Sequence, residues 1–339
     1  MKKLITALCI MLILSTTFLF GCKKDNKLEV IKVNEVTHSV FYAPLYVAIN
    51  NGYFKDEGIS IELSNGGGAD KSMAAVLSGE ADIGLMGPEA ALYVVSGGAD
   101  NHPVIFGQLT QKDGSFLVSK QRNDNFTFND LIGKEIIAGR RGGVPAMVLE
   151  NILLEQGLHP GDQLSENTNM ILNLDIQFNL IAAAFEASTD AYCTLFEPTA
   201  SQYEKENKGY IVAALGDYSG EIPYTAFMAK KNYLEQNPER AEKFLKAIIR
   251  GYNYVVSSPI NEVVNALKPS FASTSEDLIK IAIESYKRID AWCATPVMEE
   301  TQLNRLQDII INNGKLNSRV NFNTVVDNSY ARSAIEKLS

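Results

Sequence analysis

The chain has 339 residues, of which 46% are hydrophobic, and its 31 lysines and arginines against 40 aspartates and glutamates give a formal net charge of −9 at pH 7. This acidic balance leaves no basic surface on the scale that nucleic-acid phosphates require, so we expect no nucleic-acid partner. The length exceeds one typical domain core and predicts two lobes of roughly 100 to 200 residues.

The N-terminus has the pattern of an export signal. Lys2 and Lys3 precede a largely apolar run over residues 4–20, as in the charged and hydrophobic regions of a secretory signal peptide. A transmembrane anchor is the alternative, but the run is at the short end of the roughly 20 apolar residues that a span requires. Loss of residues 1–21, which hold two lysines and no acid, would shift the net charge from −9 to −11.

The signal ends at a cysteine. Leu19 and Gly21 precede Cys22 in a pattern that resembles the lipobox of bacterial lipoproteins, although Phe20 stands where a small residue is usual. We therefore expect lipidation at Cys22, a short polar tether over residues 22–27, and attachment of an otherwise soluble domain to a membrane surface. No later segment is apolar enough to span a bilayer.

The remaining cysteines are far apart in sequence. With Cys9 in the signal and Cys22 acylated, Cys193 and Cys293 remain. They are either separate buried thiols or a disulfide formed after export, and sequence leaves both open. Neither has the close cysteine or histidine spacing of a zinc site, so we expect no metal.

Short apolar runs alternate with helical patterns, which favours βαβ units and mostly parallel sheets. The predicted strands cover residues 28–33, 59–63, 81–85, 103–106, 135–138, 191–195 and 210–213. The predicted helices begin near residues 43, 69 and 88 and cover residues 144–156, 180–186 and 198–206. From residue 234 the chain is mainly helical, and residues 238–256 and 275–291 show apolar spacing of three and four.

Two segments are alike. Residues 73–88 and 181–198 each comprise a small-residue helix, an aspartate at a turn, an apolar strand and a proline that opens the next helix. One explanation is chance similarity between two common βα units. The other places one copy in each lobe, so that residues 86–89 and 195–198 point into one cleft at the carboxyl ends of their strands.

Three stretches carry a resemblance to a known family: EVTHSVFYAPLYVA (35–48), NGYFKDEG (51–58) and AVLSGEADIG (75–84). They are similar to the ABC-transporter substrate-binding lipoproteins of the sulfonate, nitrate, taurine and thiamine-precursor group. The resemblance continues through residues 140–143 and 197–198, and it covers nearly the whole chain after the signal.

This resemblance implies an α/β architecture, the type II periplasmic-binding-protein fold, with two lobes of mostly parallel sheets joined by a two-strand hinge. It places lobe 1 at residues 28–112 and 223–339 and lobe 2 at residues 113–222. Lobe closure on a ligand is a familiar motion of such folds. The implied function is the extracytoplasmic solute-binding component of an ABC importer, a monomer that is lipid-anchored to the cell membrane and delivers a small molecule to a permease and its ATPase.

Candidate ligand residues lie where predicted strands lead into helices, since free backbone N–H groups there bind polar ligand groups. Glycines at such turns also allow close backbone approach. Aromatic side chains wall mostly apolar pockets. The predicted ligand contacts are Thr37, His38, Ser39, Tyr42, Gly87, Glu89, Arg141, Gly142, Gly143, Glu197 and Tyr224.

Each of these residues also has a structural explanation. His38 fits a helix-capping or surface position, and Arg141 fits a solvated loop. Glu89 and Glu197 complement helix dipoles without any ligand. The tyrosines are equally ordinary core residues.

The ligand class depends on the two glutamates. Buried acids without partners are costly, so Glu89 and Glu197 in the cleft favour a ligand with amine or ring N–H donors, such as a thiamine-precursor pyrimidine. The alternative is a sulfonate, taurine or nitrate ligand held by helix N-termini and Arg141.

Two other classes of protein remain as rivals. Pyrimidine-synthase relatives of this fold use a cysteine-rich run and a histidine with iron. This chain has only His38, His102 and His159 and no cysteine-rich run, so we expect no enzyme activity and no cofactor. A sensor or adhesin lipoprotein would show no ligand-dependent stabilisation.

Overall fold

A computed structural model of the protein describes residues 28–338; the predicted signal, Cys22 and the tether lie outside this range. The strands are β1 (Glu29–Glu35), β2 (Ile59–Asn65), β3 (Ile83–Met86), β4 (Pro103–Thr110), β5 (Ser115–Ser119), β6 (Glu135–Ile137), β7 (Pro160–Gly161), β8 (Met170–Asn173), β9 (Tyr192–Phe196), β10 (Tyr210–Ala214) and β11 (Thr225–Lys230).

The α-helices are α1 (Ala43–Asn50), α2 (Tyr53–Asp56), α3 (Ala69–Ser78), α4 (Glu89–Ser96), α5 (Val144–Glu155), α6 (Ile181–Ala187), α7 (Thr199–Lys205), α8 (Gly216–Ser219), α9 (Lys231–Gln236), α10 (Pro238–Ser257), α11 (Ile260–Leu267), α12 (Glu276–Arg288), α13 (Glu300–Asn312), α14 (Phe322–Val325) and α15 (Ser329–Glu336). Short 3-10 helices cover Val40–Tyr42, Phe128–Leu131 and Phe178–Leu180.

The strands form two mixed sheets. The first has the order β2-β1-β3-β11-β4, in which β1 pairs in parallel with β2 and β3, while β11 is antiparallel to β3 and β4. Every residue of β3 and β4 is buried, as expected for strands that are covered on both faces.

The second sheet has the order β10-β5-β9-β6-β8-β7. Strands β9, β6, β8 and β7 are parallel neighbours, and β5 is antiparallel to β9 and β10. The α/β class is confirmed, and each mixed sheet is mostly parallel, since only β11 in the first sheet and β5 in the second run against the other described strands. The antiparallel strands β5 and β11 are the first strands after each passage of the chain from one sheet to the other, and both are missing from the sequence prediction.

The C-terminal helices cover the first sheet and also reach the second. Helix α10 packs against α1, and an added Cβ at Gly251 would overlap the carbonyl oxygen of Pro44, so this helix pair requires a glycine. Helix α13 packs against α5, which follows a strand of the second sheet. No helix among residues 28–338 has the length and apolarity needed to cross a bilayer.

Two crossover segments connect the sheets side by side. One joins β4 to β5, and the other leads from α8 to β11. The Ile222 N–H donates to the Gln111 carbonyl (2.9 Å), and the Asp113 N–H donates to the Ser219 hydroxyl (3.1 Å). The lobe boundaries at 112/113 and 222/223 fall in these segments and stay a prediction.

Candidate functional site

A cavity of about 650 Å³ lies between the two sheets. Its lining is mostly apolar and aromatic, with a few charged groups, as is usual for small-molecule sites. The lining residues are Val36, Thr37, Tyr42, Gly68, Ala69, Asp70, Met73, Gly87, Glu89, Ala90, Tyr93, Val94, Arg140, Arg141, Gly142, Gly143, Val144, Pro145, Phe178, Phe196, Tyr224, Thr225 and Lys315.

The carboxyl ends of strands supply most of the polar lining. Thr37 follows β1, Gly87 and Glu89 follow β3, and residues 140–143 follow β6 and lead into α5. The cavity therefore has the position that open α/β sheets give their ligands.

Glu89 is the charged group that is most deeply buried in the cavity wall, with 2% of its surface exposed. Its Oε1 accepts a hydrogen bond from the Val144 N–H across the cleft (3.2 Å). Its Oε2 has no hydrogen-bond partner among the described residues. Burial raises the pKa of this carboxyl to about 7. An added Cβ at Gly87 would overlap the Glu89 carboxylate, so the glycine makes room for it.

Two tyrosines form the floor beside Glu89. Tyr42 and Tyr224 are each 2% exposed, and the Tyr224 hydroxyl has no hydrogen-bond partner within residues 28–338. Burial raises the pKa of both phenols well above the usual value. The rings of Phe196 and Tyr224 lie 6.5 Å apart. The floor thus presents apolar ring surface, and the unpaired Tyr224 hydroxyl is itself buried.

The two arginines of the lining already have carboxylate partners. Arg141 contacts Asp162 at 2.7 Å and Asp175 at 3.6 Å. Arg140 reaches across the cleft to both oxygens of Asp70, at 2.8 and 2.9 Å. Both arginine side chains are more than 40% exposed, so their charge is paired and partly screened.

A further hydrogen bond joins the two sides of the cleft. The Tyr93 hydroxyl donates to the Gly142 carbonyl at 2.8 Å. With the bonds Glu89–Val144 and Asp70–Arg140, this contact connects α3 and α4 on one side to the first residue of α5 and the loop before it on the other.

Three predicted ligand residues lie outside the cavity lining. His38 bonds to the Glu35 carboxylate (2.8 Å) and the Ser270 carbonyl (2.9 Å). The Ser39 hydroxyl donates to the Glu197 carbonyl (2.7 Å) and accepts from the Phe41 N–H (3.1 Å).

Glu197 is the third predicted ligand residue that lies outside the cavity lining. Its carboxylate accepts from the Ser201 hydroxyl (2.6 Å) and N–H (3.0 Å) at the start of α7. The lining does include the other predicted residues, Thr37, Tyr42, Gly87, Glu89, Arg141, Gly142, Gly143 and Tyr224.

Several lining residues were missed from sequence. Asp70 follows the run Gly66-Gly67-Gly68, and a glycine-rich turn before a helix is a signal that could have found it. Tyr93 stands one helical turn after Glu89. Lys315 has no such signal, because its position depends on the packing of α13 against α5.

Within the described residues, Cys193 and Cys293 are both free. Burial raises the pKa of each thiol well above the usual value, so neither carries a reactive thiolate at neutral pH. Residues 28–338 contain no group of three or more histidine, cysteine, aspartate or glutamate side chains placed to hold a metal ion.

The two-sheet architecture with a cavity between the sheets is that of the periplasmic binding proteins. The alkanesulfonate-binding protein SsuA of Xanthomonas axonopodis pv. citri superposes with a TM-score of 0.68 at 14% identity, covering 89% of this chain and 99% of that one. The nitrate-binding protein NrtA of Synechocystis PCC 6803 gives 0.67 at 14% identity, over 92% and 90%. These likenesses establish the fold.

Sequence relatives fall into two groups. YtlA of Bacillus subtilis (strain 168), whose name assigns it provisionally to the binding proteins, is 40% identical over 92% of each chain. The formylaminopyrimidine-binding protein of Halalkalibacterium halodurans is 22% identical over 76% of this chain and 77% of its own. A 4-amino-5-hydroxymethyl-2-methylpyrimidine phosphate synthase of Aspergillus parasiticus is 26% identical over 65% of this chain and 64% of its own.

Residues 40–262 match the family model described as NMT1/THI5 like, and the chain belongs to that family. Together with the YtlA match and the fold, this makes it a solute-binding protein. The resemblance read from residues 35–84 is confirmed.

Proposed function

We propose that the protein is the extracytoplasmic solute-binding component of an ABC importer, and that it captures an amino-substituted heterocycle such as a thiamine-precursor pyrimidine. The observation that carries the ligand class is Glu89, a residue of the cavity lining whose carboxylate oxygen Oε2 is buried and has no hydrogen-bond partner among the described residues. An unpaired buried acceptor of this kind costs free energy that a ligand N–H group would offset.

The charges of the cavity argue against a bare anion. A sulfonate or nitrate requires a free cation or several free N–H groups, yet Arg140 and Arg141 are paired with aspartates, which leaves Lys315 as the lining cation outside those pairs. Glu89 would also repel such a ligand when it is ionised. The relative that binds formylaminopyrimidine supports the same class of ligand.

The ligand contacts that we propose come from the predicted residues that line the cavity. Tyr42 and Tyr224 supply apolar floor, and Glu89 accepts N–H groups. Thr37, Gly87 and residues 141–143 contribute the polar rim.

We propose binding without turnover. The synthase relatives are distant, and His38 is held by Glu35 and Ser270 outside the cavity. Incubating the purified protein with its ligand should return the ligand unchanged. Recovery of a chemically altered ligand from protein alone would reassign the protein to the enzymes.

A thermal-shift screen tests the ligand class. Hydroxymethylpyrimidine, formylaminopyrimidine and thiamine form one arm, and taurine, alkanesulfonates and nitrate form the other. A ligand that binds only the folded state raises the melting temperature by mass action. Stabilisation by the first arm alone supports the proposal, whereas stabilisation by the sulfonate arm alone would replace the ligand class.

We further propose a lipid anchor at Cys22 on the extracytoplasmic face of the cell membrane, and action as a monomer beside the permease and ATPase. Cys22→Ser should abolish acylation and release the protein, because lipidation supplies its membrane affinity. Detergent-phase partitioning of the variant measures this. Partitioning equal to that of the unaltered protein would contradict the anchor.

A further inference from the structure

Three contacts across the cleft end on one short segment, residues 140–144, which leads from β6 into α5. The partners of this segment are Asp70 of α3 and Glu89 and Tyr93 of α4, on the side of the first sheet. Each contact joins two protein groups, so none of them requires a ligand. The segment therefore fastens the two sides of the cleft to each other.

The contact between Asp70 and Arg140 lies where the cavity meets solvent. Both residues line the cavity, yet the Asp70 side chain is 59% exposed and the Arg140 side chain is 43% exposed. Nη1 of Arg140 lies 2.8 and 2.9 Å from the two carboxylate oxygens of Asp70. The ion pair thus spans the cleft at the mouth of the cavity.

The loop before α3 leaves space for this ion pair. Gly68 has a φ of +153°, in the range that favours glycine. An added Cβ at Gly68 would lie 2.7 Å from Oδ1 of Asp70 and 3.2 Å from Nη1 of Arg140. A side chain at this position would therefore displace the pair, and the glycine is an independent sign that the loop is built around the contact.

The neighbouring arginine fastens the segment to its own side of the cleft. Arg141 lies 2.7 Å from Asp162 and 3.6 Å from Asp175, and its backbone N–H donates to the Leu174 carbonyl (3.2 Å). Asp162 follows β7, and Leu174 and Asp175 follow β8, so these partners all belong to the second sheet. Arg141 thus anchors the segment there, while Arg140 reaches away from it.

We infer that Asp70 and Arg140 form a gate at the mouth of the cavity, anchored through Arg141 on the side of the second sheet, and that this gate must open before a ligand enters or leaves. The inference rests on the proposed function in taking this cavity as the binding site, and it adds the residues that control exchange. An exposed ion pair contributes little free energy, so the gate slows exchange without preventing it.

The rates of binding distinguish a gate from a ligand contact. In Arg140→Gln and in Asp70→Asn, association and dissociation of hydroxymethylpyrimidine, measured by stopped-flow mixing, should both become about two- to fivefold faster, so that the affinity stays within about twofold. Loss of a ligand contact would instead speed dissociation and leave association unchanged. Unchanged rates, or faster dissociation alone, would overturn the inference.

Two comparisons assign the effect to this ion pair. The double variant, Asp70→Asn with Arg140→Gln, should be no faster than either single variant, because both changes break the same contact. Arg319→Gln is the matched control, since Arg319 and Asp308 form an ion pair with side chains 50% and 48% exposed, outside the cavity lining. This control should keep the rates of the unaltered protein. Additive effects of the two single changes, or equally fast exchange in Arg319→Gln, would contradict the gate.

A second measurement needs no ligand. The Val144 N–H donates across the cleft to Oε1 of Glu89, so its exchange with solvent reports local opening of the cleft. Amide exchange followed by NMR should be about two- to fivefold faster at Val144 in Arg140→Gln than in the unaltered protein or in Arg319→Gln. Equal exchange rates would overturn the inference. If hydroxymethylpyrimidine does not bind the unaltered protein, the proposed ligand class fails, and the exchange rate of Val144 still decides the gate.

Discussion

Glu89 and Glu197 lie in two similar segments of the chain, on opposite sides of the helix-opening proline, and they meet different surroundings. Each follows a central strand, β3 or β9, next to a proline at the start of a helix, and each is almost fully buried. Glu89 lines the cavity with one oxygen unpaired, whereas both oxygens of Glu197 accept from Ser201 outside it.

The neighbours of each acid explain the difference. Four residues after Glu197, Ser201 supplies a hydroxyl and an N–H at the first turn of α7. Four residues after Glu89, Tyr93 donates its hydroxyl to Gly142 instead. Gly87 leaves space for the Glu89 carboxylate, whereas Glu197 itself stands at the position that matches Gly87, directly before the proline. The side of the proline on which each acid stands, together with the residue four positions later, therefore accounts for the two environments.

Removing the charge of Glu89 should have the largest effect. In Glu89→Gln the amide oxygen can keep the hydrogen bond from the Val144 N–H. The NH₂ group then takes the place of the second carboxylate oxygen, where it cannot accept from the N–H groups of the ligand. Loss of one hydrogen bond to a charged group costs about 1.5 to 3 kcal/mol, so affinity for hydroxymethylpyrimidine should fall by about one to two orders of magnitude. Calorimetric titration measures this, with Glu197→Gln as the matched control. Equal losses in both variants would remove the distinction between the two acids.

Filling the space at Gly87 should have the next largest effect. An added Cβ overlaps the Glu89 carboxylate, so Gly87→Ala should displace the side chain and weaken binding roughly tenfold. Gly97→Ala is the control, because its Cβ would meet only backbone oxygens at 3.4 Å. Wild-type affinity in Gly87→Ala, checked in the same titration, would show that the carboxylate position does not matter for binding.

Seven strands could be predicted from their apolar residues, but the apolar runs of β5 (SFLVS) and β8 (MILN) were missed. Strand β11 (TAFMAK) is just as buried, but its alanines and threonine give no such run, and its place between β3 and β4 depends on the chain returning from the second sheet. Glycines 142 and 143 could be predicted as cavity residues from the need for close approach. The different surroundings of Glu89 and Glu197 could not be predicted, because they depend on the direction of each side chain and on the hydrogen bonds that Ser201 donates.

The pH dependence of binding should depend on Glu89 and not on Glu197. Because burial raises the pKa of Glu89 to about 7, its ionised form, which accepts N–H groups, increases as the pH rises through 7. Between about pH 6.5 and 8 the affinity for a neutral aminopyrimidine should therefore increase roughly fourfold.

The effect on stability has the opposite sign. The folded protein retains the Glu89 proton to higher pH than the unfolded chain, so this group favours folding below its unfolded pKa near 4.5 and loses that contribution as the pH rises through about 7. Titrations and melting curves at several pH values measure both trends. Glu89→Gln should remove the contribution of this group to the pH dependence of affinity and of stability. If both pH dependences persist unchanged in the variant, another group is responsible for them.

Altering Glu197 should have the smallest effect on binding and act on stability instead. In Glu197→Gln one oxygen remains to accept from Ser201, while the new NH₂ group faces a serine N–H or hydroxyl that previously donated to a carboxylate. We expect a loss of about 1 to 2 kcal/mol in the free energy of unfolding, measured by urea denaturation. Affinity for hydroxymethylpyrimidine should change by less than about twofold, since this carboxylate bonds to Ser201 of α7 and lies outside the cavity lining. Ser201→Ala should reproduce the stability loss by removing the hydroxyl donor. A tenfold loss of affinity in Glu197→Gln, with stability unchanged, would instead place Glu197 in contact with the ligand, and the two similar segments would then contribute equivalent acids to one site.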